Sequence, residues 1–192
     1  DTAINGCCSG NNLIGTLIII KLPSLTYINL RANKLSGTIP DFHFPSLENL
    51  RLETNKLSGS IPNFKNLPKL GYLALEGNQL TGNIPNFDMM PLLYRLGCYD
   101  NQLTGPVPNL NNLPQLNRIH LNDNKLTGSI PSFDNNPKLE TINLYDNELT
   151  GSIPDFKNLP LLKVLALHHN FLSGSLPGLK GCLLLENYEV HN

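Results

Sequence analysis

The sequence predicts a mostly β, right-handed curved solenoid with one parallel strand per 22–23-residue repeat and short 3₁₀ or extended segments opposite. Three observations carry that prediction. A motif L-x-x-L-x-L-x-x-N recurs along the chain, its closing asparagine falling at Asn11, Asn33, Asn55, Asn78, Asn101, Asn124, Asn147 and Asn170. Around each L-x-L, apolar and polar residues alternate with period two, the pattern of a short strand with one buried face. Glycine four residues after the marker and proline seven after it then recur from Gly37 and Pro40 to Gly174 and Pro177. Self-similarity at a fixed short period identifies a stacked-repeat architecture.

Each part of the unit has its own reason. Apolar residues eight, five and three places before the marker, such as Leu25, Ile28 and Leu30 or Leu139, Ile142 and Leu144, supply the core side of the strand. The marker asparagine is expected to bond backbone groups of neighbouring coils that would otherwise be buried unpaired. After it the glycine and the proline stop a helix from forming, so the chain turns and returns extended. The aromatic beyond Ile-Pro (Phe64, Phe87, Phe133, Phe156) is expected to pack as a spine on the outer side. A single unit is too small to bury its own apolar face, and stacking makes one continuous core. The whole chain, 1–192, therefore reads as one domain: an irregular edge and degenerate repeat over 1–24, regular repeats over 25–184, and the start of a further repeat over 185–192.

These motifs resemble the leucine-rich repeat family, in its "LxGxIP" subtype. The resemblance covers roughly residues 11–192 and departs from the common plant unit in being about one residue shorter, with Asp41-Phe42, Asn63-Phe64 or Asp155-Phe156 after the proline. It implies a likeness to plant receptor-kinase ectodomains, polygalacturonase-inhibiting proteins and related secreted proteins. It also implies a concave sheet that binds proteins, peptides or, more rarely, glycans, in an extracellular or cell-surface setting.

Composition agrees with a solenoid. Gly and Pro, 15 of each, are spread periodically rather than pooled in a linker. A net charge of −1 gives no general attraction to nucleic acid or to an anionic membrane. The apolar run Leu17–Ile20 is too short to span a bilayer, so direct membrane insertion is not expected. The chain starts with Asp, and the strand of Leu185, Tyr188 and Val190 would close at a residue 193, which reads as a fragment of a longer protein. Cys8 and Cys98 lie four repeats apart, about 19 Å at strand spacing, beyond the roughly 7 Å reach of a disulfide. Cys98 fills a core slot; Cys7 and Cys8 are left to pair outside this segment or stay reduced. No N-x-Ser/Thr sequon is present.

Function is expected at the strand positions six, four and two before the marker, which face away from the core, and at the residue just before it. All four arginines of the chain (Arg31, Arg51, Arg95, Arg118) fall there, with four tyrosines and three histidines, while every lysine lies elsewhere. Arg and Tyr are the residue types enriched in binding hot spots, and Lys is depleted there. Tyr72, Arg95, Tyr99, Arg118, His120, Tyr145 and His168 form the expected centre of a ligand-binding concave face, for a protein or peptide first and a polysaccharide second. In the slot before the marker, Asp100, Asp123 and Asp146 stack as like charges, with Glu53 and Glu76 one position back; Ca²⁺ between coils is a candidate for offsetting them. No cofactor is otherwise required. The sequence holds no phosphate loop, HExxH or CxxC, so no enzyme is expected. An alternative from another class is an ice-binding surface, built from stacked Ser36-Gly37-Thr38, Ser58-Gly59-Ser60, Thr127-Gly128-Ser129 and Thr150-Gly151-Ser152 tripeptides.

Overall fold

A computed structural model describes residues 8–18 and 22–190. Two parallel sheets of eight strands each run the length of the stack. The inner sheet, which corresponds to the concave face expected from the sequence, is built from Tyr27–Asn29, Asn49–Arg51, Tyr72–Ala74, Arg95–Gly97, Arg118–His120, Thr141–Asn143, Val164–Ala166 and Asn187–Glu189. The outer sheet follows each marker asparagine, from Ile14–Thr16 and Lys34–Thr38 to Glu148–Gly151 and Phe171–Leu172. The second strand in every repeat is a finding beyond the sequence reading, which expected 3₁₀ or extended segments there. Ser/Thr-Gly extends readily, and backbone groups of adjacent returns lie close enough to pair, as Ser58 with Thr38.

The two sheets differ in register. Inner strands pair position for position: Tyr72 with Arg95, and Arg95 with Arg118. Outer strands are staggered by two residues per repeat, Thr38 opposite Ser58 and Ser58 opposite Gln79.

Leucine columns fill the space between the sheets. Leu47, Leu50 and Leu52, and likewise Leu139, Ile142 and Leu144, have no exposed surface. Each such side chain contributes about 1.5–3 kcal/mol by leaving water. Phe64, Phe87, Phe133 and Phe156 are buried as expected, and Phe133 stacks on Phe156 with centroids 6.4 Å apart. All four adopt left-handed backbone (φ 46–55°), a conformation costly for a bulky residue and held by the surrounding core.

The marker asparagines act as staples between coils. The Nδ2 of Asn147 donates to Leu144 O and Tyr145 O in its own coil and to Leu121 O in the coil before, each at 3.1 Å. Its Oδ1 accepts from Leu126 N of that preceding coil at 3.0 Å. The same four bonds recur at Asn33, Asn55, Asn78, Asn101, Asn124 and Asn170.

Cys98 is fully buried in its core slot, as expected. Cys98 and Cys182 are unbridged, and Cys7 lies outside the described residues. So do Ile19 and Ile20; of the same apolar run, Leu17 packs against the core and Ile18 is exposed. The strand Asn187–Glu189 lies where Leu185, Tyr188 and Val190 placed one. No helix among the described residues is long and apolar enough to cross a membrane.

Candidate functional site

Strict register on the inner sheet stacks equivalent side chains into columns. One column reads Tyr27, Asn49, Tyr72, Arg95, Arg118, Thr141 and Val164. The next reads Asn29, Arg51, Ala74, Gly97, His120, Asn143, Ala166 and Glu189. Two clusters emerge from them and from the column after.

The first centres on Tyr72. Guanidiniums from the strands on either side lie over its ring, Arg51 at 5.5 Å and Arg95 at 5.0 Å from the centroid. Each such cation–π contact contributes about 0.5–1 kcal/mol at a partly exposed site. Arg51 also donates to Glu53 Oε1 from Nε (3.0 Å) and Nη2 (2.8 Å), and Arg31 approaches the same oxygen at 3.8 Å. Burial opposes the charge on Arg51, and the Glu53 carboxylate outweighs it and holds the guanidinium protonated.

Glu53 and Glu76 correct the sequence reading. They were expected to extend an exposed acidic column, yet they are only 4% and 7% exposed. Glu53 is covered by Arg51 and Arg31, and Glu76 owes its place to the glycine beside it. A β-carbon on Gly97 would stand 2.6 Å from Glu76 Oε2, so the absent side chain is what lets this carboxyl fold down onto the sheet. Burial, reinforced by Glu53, raises the Glu76 pKa and favours its protonated form. In the folded state Glu76 therefore binds its proton more tightly than when unfolded. Its contribution is most favourable below the ordinary carboxylate range and is lost as pH rises through the folded value. Glu76→Gln is accordingly expected to raise the melting temperature at pH 7, with the gain shrinking as pH falls towards 4.5 and levelling off below it; thermal melts at both ends would show it, and a pH-independent gain would contradict the buried-carboxyl account.

His120 behaves oppositely. Burial, and then Arg95 and Arg118, push its pKa down to about 4, so it is neutral near pH 7. Its Nδ1 lies 3.0 Å from Asn143 Nδ2 and accepts that amide's N–H.

The second cluster joins Tyr145 and His168, stacked at 4.6 Å with only 6° between planes. His168 Nδ1 is 3.3 Å from Glu189 Oε2, and His169 Nδ1 is 2.8 Å from Asp146 Oδ1. Tyr99 stands in the Tyr145 column, with Asn122 between them. Thus Tyr72, Arg95, Arg118 and His120 fall in one group and Tyr145 and His168 in another. Arg51, Glu53, Glu76 and Asn143 complete the clusters; the sequence placed these four on the face without showing which neighbours they would engage.

Asp100, Asp123 and Asp146 occupy a left-handed turn, φ 53°, 54° and 50°. Asp is among the few non-glycine residues that tolerate that conformation, which accounts for the column on backbone grounds. Asp123 accepts from the Asn122 amide at 2.7 Å and Asp146 is held by His169. Among the described residues no three ligating side chains converge as a metal site.

Relatives can be set beside this geometry. The Leucine Rich Repeat family model matches residues 24–43 and 138–159. The chain is similar to the ectodomain of the plant membrane receptor kinase GASSHO1/SCHENGEN3 from Arabidopsis thaliana, solved in complex with CASPARIAN STRIP INTEGRITY FACTOR 2 (36% identity, TM-score 0.82, 88% of this chain and 21% of that one). It is also similar to the plant peptide hormone receptor RGFR1 in complex with RGF2 (31% identity, TM-score 0.75, 94% and 34%). A Pollen Receptor Kinase 3 structure matches at 31% identity and TM-score 0.60, over 75% of this chain and 78% of that one. The chain thus spans about a fifth to a third of the first two chains, and most of the third. Among curated proteins there is no significant match. With the staple asparagines, the leucine columns and these likenesses together, the chain belongs to the leucine-rich repeat family.

Proposed function

We propose that the chain is a non-catalytic recognition module, at a cell surface or outside the cell, that binds a peptide or protein on its inner sheet. The observation that carries this reading is the ordered array of arginine, tyrosine and histidine on a rigid face. Tyr72 is held between two guanidiniums and Tyr145 is stacked on His168. Side chains held this way lose little further freedom on binding, which is what preorganisation contributes to affinity. The relatives support the same class, since GASSHO1/SCHENGEN3 and RGFR1 were each solved with a bound partner. Aromatic rings with arginine and asparagine would also suit a polysaccharide, the second ligand class.

The ice-binding alternative is disfavoured by the outer register. With a two-residue stagger, Ser58 has Thr38 on one side and Gln79 on the other. The hydroxyl columns are therefore skewed and interrupted rather than a flat lattice. To test the proposal, random linear peptides displayed on phage are selected against the chain, then offered to Arg95→Ala/Tyr99→Ala/Arg118→Ala. Retention by the parent chain alone is the expected result; equal retention by both would move the working surface off this face.

A further inference from the structure

The repeat that closes at Asn101 departs from its neighbours on the flank where the chain enters the inner sheet. Nine and seven places before the marker, the adjacent repeats carry Lys69 and Gly71 on one side and Gln115 and Asn117 on the other. This repeat carries Leu92 and Tyr94, 50% and 41% exposed, and Met89 in the preceding turn is 57% exposed. Tyr94 is continuous with the inner sheet. Its ring covers Gly71, where a β-carbon would meet it at 2.8 Å, and it stands edge-on to Tyr72 at 6.2 Å. Apolar surface therefore runs from Leu92 over Tyr94 to Tyr72, and the ring of Tyr72 carries the Arg95 guanidinium.

Charge is unbalanced at the same place. Arg31 and Arg51 converge on Glu53. Arg95 and Arg118 are register partners on adjacent strands, and among the described residues neither forms an ion pair. Arg95 Nε is buried with no hydrogen-bond partner. Glu76 and Arg95 interact through space but make no ion pair. His120, which feels the charge of both arginines, is neutral near pH 7. Among the described residues two neighbouring guanidiniums thus lack an ion-pair partner directly beside an exposed apolar step.

We infer that the recognition surface turns over this flank and takes a peptide segment in which a carboxylate side chain lies beside an apolar one. The carboxylate binds Arg95 and Arg118, and the apolar group covers Leu92 and Tyr94. A carboxylate accepts charge-assisted hydrogen bonds from both guanidiniums at once and removes their repulsion. An exposed Met, Leu and Tyr rimmed by polar residues is the composition of an interface core rather than of a solvated surface. A small inorganic anion would answer the arginines but leave the apolar flank in water. The inference rests on the peptide-binding reading above.

Random linear peptides displayed on phage test both readings separately, with the folded state of each variant checked by its melt. Peptides kept by the parent chain are expected to be enriched several-fold in Asp or Glu next to Leu, Ile or Phe. Selection on Arg95→Gln/Arg118→Gln should lose the acidic preference and keep the apolar one; selection on Leu92→Ser/Tyr94→Ser should do the reverse. A parent pool without that pairing overturns the inference, as does a pairing that survives in both variants. Peptides that respond to Tyr145→Ala/His168→Ala but to neither of these pairs leave the inner-sheet reading standing and sink this one. A chain that retains no peptide at all overturns both.

Discussion

Asn147→Ala is expected to cost about 3–5 kcal/mol and to lower the melting temperature by roughly 6–20 °C. The substitution leaves Leu126 N without the acceptor it had at 3.0 Å, and it removes the donor shared by Leu121 O, Leu144 O and Tyr145 O. An unsatisfied buried polar group costs about 1–3 kcal/mol, and alanine is too short for water to restore the set without opening the stack. The loss also falls between two coils, and in a solenoid each coil is held by its neighbours alone. Asn158 provides the contrast. It is exposed and donates one bond, to Asp134 O, so Asn158→Ala should cost within about 1 kcal/mol. Thermal melts of the two variants side by side decide the matter: equal melting temperatures would mean that the asparagine ladder does not hold the coils together.

Arg95→Ala/Tyr99→Ala/Arg118→Ala is expected to weaken binding of a selected peptide by a factor of about a thousand or more. Buried arginine and tyrosine anchors each cost about 2 kcal/mol or more when truncated, and neighbouring losses are not additive. A combined loss of about 4 kcal/mol corresponds to roughly a thousandfold. Stability should fall far less. Arg118 is exposed and Tyr99 half-buried, and only Arg95 gives up a structural contact, its stack on Tyr72. The melting temperature is therefore expected to drop by no more than a few degrees. Calorimetric titration with the melt as control reads both quantities. A collapse of the melt with the binding would show that the three side chains hold the sheet rather than the ligand.

How much of this was legible in the sequence follows from what each position answers to. The strands, the leucine columns, the buried phenylalanines and the asparagine staples repeat with the chain's own period, so the pattern exposed them. The outer sheet did not show, because Leu-Thr-Gly-Ser is compatible with either a strand or an irregular return, and only pairing between coils decides. The inner face was legible as a list of outward positions but not as contacts. That Tyr72 meets Arg95 follows from strict register, which sets the two side by side, whereas Arg51 stands opposite Ala74 and reaches the ring diagonally. That Glu76 is buried depends on the missing side chain of Gly97, one repeat away. Asp100, Asp123 and Asp146 looked like a charge problem because their left-handed backbone is invisible in a string of letters. The flank of Leu92 and Tyr94 was overlooked for a related reason: those positions precede the strand, where neighbouring repeats carry polar residues or glycine.

Hydroxyl-radical footprinting with and without a selected peptide tests most directly whether the inner sheet is the working surface. Tyr72, Tyr99 and Tyr145 lie on that face, and Phe171, 70% exposed, lies on the outer sheet. Protection of the tyrosines on binding, with Phe171 as reactive as before, is the expected result. Protection of Phe171 with the three tyrosines unchanged would contradict recognition on the inner sheet.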